Sequence, residues 1–326
     1  MSRRALICGI SGQDGAYLSQ LLLAKGYEVS GTSRDADMAT FANLEQLGLR
    51  RDLQLVSLNL RDTGGILSLI QRAQPDEIYS LAAQSSVGLS FQQPFETIES
   101  IALGAVNLLE AIRFSGQTIK LYNAGSTECF GDTGKESADE NSPFHPCSPY
   151  AVAKAASYWT ISNYRQAYGM YACTGVLSNH DSPLRPARFV TKKIIRAAAE
   201  VAAGKRVKLA LGNLAIERDW GWAPDYVDAI WRMLQEEKPS DYIVATGVTS
   251  TLRDFLQTAF RLVGHEWEDF VVVDRNLFRP SDLIHSRVNP RKASDQLGWH
   301  ATNKMQDVVR LMLDYEIDRG SRELGR

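Results

Sequence analysis

The sequence predicts an α/β protein, a doubly wound parallel sheet with a smaller C-terminal part interleaved with it. Three observations carry this. Up to Ser178, short apolar runs alternate with helix-periodic segments, as a parallel sheet covered on both faces requires. The first run leads at once into Gly9-Ile10-Ser11-Gly12-Gln13-Asp14-Gly15, and Tyr17, Leu18, Leu21 and Leu22 follow at helical spacing. Beyond Ser178 the alternation loosens, with no linker, repeat or low-complexity tract to detach a second domain.

Taken in order, Arg4 to Ile10 reads as the first strand, Glu28 to Ser33 as the second, Leu53 to Leu60 as the third, Glu77 to Leu81 as the fourth and Ile119 to Ala124 as the fifth. Helical patterns lie between them at Gly64 to Ala73 and Thr97 to Arg113. A sixth strand falls within Tyr171 to Ser178, and Asn179 to Arg185 reads as a polar loop. Helices are then expected at Phe189 to Ala203, Pro224 to Gln235, Leu252 to Val263 and Asn303 to Asp318. Strands are expected at Val207 to Leu211, Tyr242 to Thr246 and Phe270 to Asp274. In such sheets ligands lie beyond the carboxyl ends of the strands, where Ala82 to Ser85 and Ser126 to Glu128 fall.

At 326 residues the chain has room for one large domain or two intimately joined ones. Its 36 Lys+Arg against 38 Asp+Glu leave a formal charge of -2, which favours neither nucleic acid nor an acidic membrane surface as partner. The four cysteines, Cys8, Cys129, Cys147 and Cys173, form no CxxC pair and no metal-ligand rhythm, so free thiols in a reducing compartment and no metal are expected. The opening apolar run is too short for a signal sequence, and no stretch approaches the ~20 apolar residues of a membrane span. The protein is expected to be soluble and cytoplasmic.

A glycine-rich turn between strand and helix lets backbone approach a pyrophosphate and points N–H groups of the helix start at its charge. Gly9, Gly12, Gln13, Asp14 and Gly15 are therefore expected at a dinucleotide, making the sheet a Rossmann domain. The second strand ends in Ser33 and Arg34, without the acidic residue that would hold both ribose hydroxyls of NAD. Arg34 suits a 2′-phosphate and favours NADP over NAD. Asp35 beside it carries the opposite charge, and a solvated loop charge is the other reading of Arg34.

Tyr150 and Lys154 lie four apart at the start of a helical pattern, so they share one face. A lysine there favours the phenolate and lowers the tyrosine pKa toward neutrality, where it acts as a base. The strand-end triplet Ser126-Thr127-Glu128 precedes the pair and has a way to converge with it.

These stretches, with Leu81-Ala82-Ala83-Gln84-Ser85, Ser148-Pro149-Tyr150, Asn179-His180-Asp181-Ser182-Pro183, Arg218-Asp219-Trp220-Gly221 and Phe278-Arg279-Pro280, resemble the extended short-chain dehydrogenase/reductase superfamily and, within it, the GDP-mannose 4,6-dehydratases. The resemblance covers nearly the whole chain. It implies catalytic roles for Ser126, Thr127, Glu128, Tyr150 and Lys154. Ser126 and Thr127 exchange the two hydroxyl types of the family's usual triplet. It places Asn59, Leu60, Leu81, Ala82, Ala83, Gln84, His180 and Arg185 at the cofactor. Ser85, Asn179, Val190, Lys193, Arg218, Arg279 and Asp282 fall at a sugar nucleotide, GDP-mannose or a related GDP-sugar. It also implies a nucleotide-binding domain of residues 1–177 and 220–248, a substrate domain of 178–219 and 249–326, and a homodimer or homotetramer with Ala105-Leu109 and Ala155-Ile161 as candidate interface faces. Two rivals stay open: a 4-keto-sugar reductase or C4 epimerase of the same fold, which has no need of Glu128, and a non-catalytic dinucleotide-binding protein.

Overall fold

In the computed structural model, which describes residues 2–324, the strands in chain order are β1 (Arg4–Cys8), β2 (Glu28–Ser33), β3 (Gln54–Ser57), β4 (Glu77–Ser80), β5 (Lys120–Ala124), β6 (Ala172–Leu177), β7 (Asn179–Asp181), β8 (Leu209–Leu211), β9 (Glu217–Trp222), β10 (Tyr242–Val244), β11 (Thr249–Thr251) and β12 (Val271–Val273). Among the described residues, seven of them form one sheet in the order β10-β6-β5-β4-β1-β2-β3, every neighbouring pair parallel. This is the doubly wound Rossmann arrangement, with the order reversing between β1 and β4.

Strand β1 shows why both faces must be covered. Ala5 and Ile7 enter one buried cluster with Leu18, Leu22, Tyr226 and Ile230, while Leu6 and Cys8 enter another with Ile66, Ile70, Leu108 and Ile161. Alternate residues point to opposite faces, so an unbroken apolar run is buried only between two helical layers. The helices Gln13–Ala24 and Ala223–Met233 cover the first face; Thr63–Ala73, Gly104–Ser115 and Pro149–Tyr168 cover the second. A third core joins the helices Val190–Ala202, Leu252–Arg261 and Met305–Leu324 around Trp220 and Phe255. There Lys192 and Glu316 form a buried ion pair that ties the first of these helices to the last.

The expected elements lie close to the observed ones, with three differences. The helix expected over Thr97 to Arg113 is broken: Pro94–Ile98 is α-helical, Glu99–Leu103 makes a π-helical turn, and Gly104–Ser115 resumes as α-helix. Part of the expected polar loop, Asn179 to Asp181, is β7, paired in parallel with Asn179 opposite Trp220. The stretch Arg218 to Gly221 lies in β9, which pairs with both β7 and β11. Polar three-residue segments carry no strand periodicity, and pairing alone makes them strands. The boundary expected at 219/220 falls inside β9. Ala105, Leu109, Ala155 and Ile161, expected at an interface, are buried within the protomer. No helix among the described residues is long and apolar enough to cross a membrane.

Candidate active site

The glycine-rich turn is pinned from two sides. The N–H groups of Gly9 and Ile10 donate to the Thr32 carbonyl at 3.1 and 3.2 Å. Gly9 has φ +89°, and a Cβ there would stand 2.7 Å from the Ala82 backbone. A Cβ on Gly15 would stand 2.5 Å from the Gly9 carbonyl oxygen. Only glycine allows this approach of turn, helix and β4 loop. Gly12 caps the helix without a side-chain bond and lines the cavity in front of it, so backbone alone faces that space at the helix start. This suits a pyrophosphate.

Gln13 and Gly15 line neither of the two cavities described below. Gln13 is buried, donates to the His180 carbonyl at 3.2 Å and accepts from Ser182 Oγ at 2.7 Å. It locks the turn to the segment after β6. His180 faces the second cavity, yet both its ring nitrogens are committed to protein: Nδ1 lies 2.8 Å from the Ser178 carbonyl and Nε2 lies 3.0 Å from Asp14 Oδ2, with the ring stacked on Tyr226. Burial alone would raise the Asp14 carboxyl, but the charge and hydrogen bond of His180 outweigh it and bring it down to about 2. Burial alone would lower His180, and Asp14 raises it instead.

The sign follows from linkage. Asp14 stabilises the fold above its unfolded pKa of about 4 and loses this as pH falls toward about 2; His180 stabilises fully below its unfolded pKa of about 6.5 and loses this as pH rises through its higher folded value. Asp14→Asn is therefore expected to cost about 2 kcal/mol between these limits and progressively less in alkaline solution. Chemical denaturation of both forms across pH checks it; a difference that kept growing as pH rose above neutrality would refute the pairing.

Two cavities meet along the carboxyl edge of the sheet, sharing Leu81 and Ala83. One, of about 360 Å³, is lined by Gly9, Gly12, Arg34, Asn59, Leu60, Leu81, Ala82, Ala83 and Gln84, all expected cofactor residues. The other, of about 440 Å³, receives Ser126, Thr127, Glu128, Tyr150, Lys154, Asp14, His180 and Arg185. It also receives each of Ser85, Asn179, Val190, Lys193, Arg218, Arg279 and Asp282. The helix Pro149–Tyr168 supplies Tyr150 and Lys154 from its first turns, started by Ser148 accepting the Ala151 N–H at 3.1 Å and by Pro149 at its first position.

Around the triplet the contacts are specific. Ser126 accepts the Glu128 backbone N–H at 3.3 Å and hydrogen-bonds Tyr150. Burial pushes the Tyr150 phenol above its ordinary pKa, and Ser126 opposes this only partly. Lys154 donates to the Ala124 carbonyl at 2.7 Å and its Nζ stands 5.7 Å from the centre of the Tyr150 ring; burial lowers it to about 8. The expected lowering of Tyr150 by Lys154 is therefore absent in the protein by itself, because desolvation of the phenolate dominates. Glu128 reaches Arg218 Nε at 3.5 Å, and Arg218 Nη2 is buried with no hydrogen-bond partner. Arg218 Nη1 is fixed by the carbonyls of Glu217 and Leu283 at 2.8 and 3.0 Å.

Sequence reading missed Arg61, Glu96 and Glu99 in the first cavity and Arg188 and Trp220 in the second. Arg61 follows directly on Asn59-Leu60, the one local signal that was available; the glutamates come from helices distant in sequence.

The family model for GDP-mannose 4,6 dehydratase matches residues 6–312. The chain belongs to the GDP-mannose 4,6-dehydratase family. A protein of Arabidopsis thaliana named GDP-mannose 4,6 dehydratase 2 is 43% identical, over 98% of this chain and 88% of its own. The solved UDP-glucose 4-epimerase of Thermus thermophilus, in complex with NAD, superposes with a TM-score of 0.84 at 28% identity, over 98% of this chain and 99% of its own. RMD from Pseudomonas aeruginosa, complexed with NADPH, superposes with a TM-score of 0.80 over 98% of this chain and 100% of its own; at 22% identity it shows the fold alone. In this member of the GDP-mannose 4,6-dehydratase family, Glu128 stands in the cavity wall with Ser126, Thr127, Tyr150 and Lys154.

Proposed function

We propose that the chain converts GDP-mannose, or a closely related GDP-linked sugar, to its 4-keto-6-deoxy product and water, using a resident dinucleotide of the NADP type. The observation that carries the reading is the meeting of Glu128 with Ser126, Tyr150 and Lys154 on one cavity that also holds Arg218 and Arg279. Gly9, Gly12 and Arg34 would hold the dinucleotide, which when bound would supply reversible hydride transfer, from C4 and back to C6, without net consumption.

The side chains divide the remaining work. Tyr150 takes the proton of the C4 hydroxyl, with Ser126 holding that oxygen and the Lys154 ammonium favouring the phenolate. The resulting ketone acidifies C5. Glu128 removes the C5 proton, and the C6 hydroxyl leaves as water with a proton from Glu128 and a hydrogen bond from Thr127. C5 then recovers a proton. Arg218, whose buried Nη2 still seeks an acceptor, and Arg279 bind the diphosphate, for which planar guanidinium forks are suited. Ser85, Asn179, Val190, Lys193 and Asp282 surround the rest of the sugar nucleotide. Residues 1–177 and 220–248 make the dinucleotide domain, and 178–219 with 249–326 the substrate domain.

Incubation with NADP+ and GDP-mannose, followed by product mass, tests the reading. Loss of one water with no net reduced nicotinamide is expected. Stoichiometric consumption of NADPH on a 4-keto sugar, without dehydration of any sugar nucleotide, would replace it with a reductase.

A homodimer or homotetramer is part of the proposal. Phe114, Val152, Trp159 and Tyr168 are 46–63% exposed on the helices that also carry the expected interface residues. A run of large apolar side chains in water is costly, and a second copy covers it. Trp159→Glu is expected to shift sedimentation velocity toward the monomer; an unchanged profile would place the interface elsewhere.

A further inference from the structure

Arg61 lies two residues past Asn59, in the turn that follows β3, and lines the 360 Å³ cavity. Its guanidinium reaches the carboxylates of Glu96 and Glu99. Arg34, from the end of β2, reaches the same Glu96, Nη1 to Oε1 at 3.1 Å. Two cations from the segments that follow neighbouring parallel strands thus converge on one carboxylate, in a cavity whose wall also carries Ser11 and Ser33. Asp35 does not enter this arrangement. Its Oδ1 accepts the N–H groups of Asp37 and Met38 at 3.1 and 3.0 Å, folded back on its own turn.

We propose that Arg34 and Arg61 together bind the 2′-phosphate of the cofactor, Arg61 supplying a second guanidinium beside Arg34, with Glu96 holding the anion's place. This rests on the reading of the chain as an NADP enzyme. A phosphate monoester carries more charge and more acceptor oxygens than a carboxylate, so it displaces Glu96 from two forked donors. Both arginines have the freedom to follow it, with side chains 80% and 43% exposed. Glu99 is better buried, at 18%, and opens the π-helical turn; it keeps Arg61 in place while Glu96 is exchanged. The 2′-hydroxyl of NAD offers no charge for that exchange. It leaves the two arginines on Glu96, and nothing is gained.

Titration calorimetry of the full-length chain with NADP+, NAD+, 2′,5′-ADP and 5′-AMP tests the assignment. The wild type is expected to prefer each 2′-phosphorylated ligand by at least about 30-fold. Arg61→Ala is expected to weaken NADP+ and 2′,5′-ADP by about 10-fold or more and leave NAD+ and 5′-AMP unchanged. Glu96→Gln, which removes the competing charge, is expected to tighten NADP+ several-fold and not NAD+. A wild type with no preference for NADP+ would overturn the cofactor reading. A wild type that prefers NADP+ and an Arg61→Ala variant that keeps the full preference would overturn the role of Arg61 alone.

Discussion

Glu128→Gln is expected to lower dehydration about 10³-fold while leaving C4 oxidation in place. Glutamine keeps the volume and can still accept from its neighbours, but it has no basic oxygen for the C5 proton. The site gives the carboxylate no substitute: it is largely buried, its backbone N–H is held by Ser126, and its nearest cation is Arg218 Nε at 3.5 Å. Single-turnover measurement should show reduced nicotinamide building up without loss of water, and no deuterium entering C5 in heavy water. Wild-type dehydration by the variant would show that another group removes the proton.

Tyr150→Phe is expected to stop the reaction one step earlier, by about 10³ to 10⁴-fold, with no reduced nicotinamide formed. The ring is buried and its phenol is hydrogen-bonded to Ser126, so phenylalanine keeps the packing and loses only the proton acceptor. The two variants thus fail in distinguishable ways. Because burial holds Tyr150 above its ordinary pKa in the protein alone, the phenolate depends on positive charge brought to it: the Lys154 ammonium and the oxidised nicotinamide. Lys154 is lowered to about 8, so its ammonium is lost, and turnover is expected to fall, as pH rises through that value. A variant that still accumulated reduced nicotinamide at the wild-type rate would remove Tyr150 from the role of base.

Local signals in the sequence determined the sheet and most of the residues that line its cavities. A strand such as β1 declares itself by an apolar run, a helix by its periodicity, and the turn between them by glycines at Gly9, Gly12 and Gly15; each signal is complete within a few residues. Ser126 to Glu128 and Tyr150 with Lys154 were legible for the same reason, and their convergence on one cavity follows from the strand order that such alternation imposes. The tertiary structure decided what depends on contacts between segments. It made strands of Glu217–Trp222 and of Asn179–Asp181, whose polar residues have no strand preference apart from their partners. It committed the Gln13 side chain to Ser182, brought Arg61 to Glu96, and left Arg218 between Glu128 and the cavity. It also reversed the expected state of Tyr150: helical spacing places a lysine beside the phenol, but the depth of burial sets the cost of ionising it, and burial is the sum of every packed element around the site.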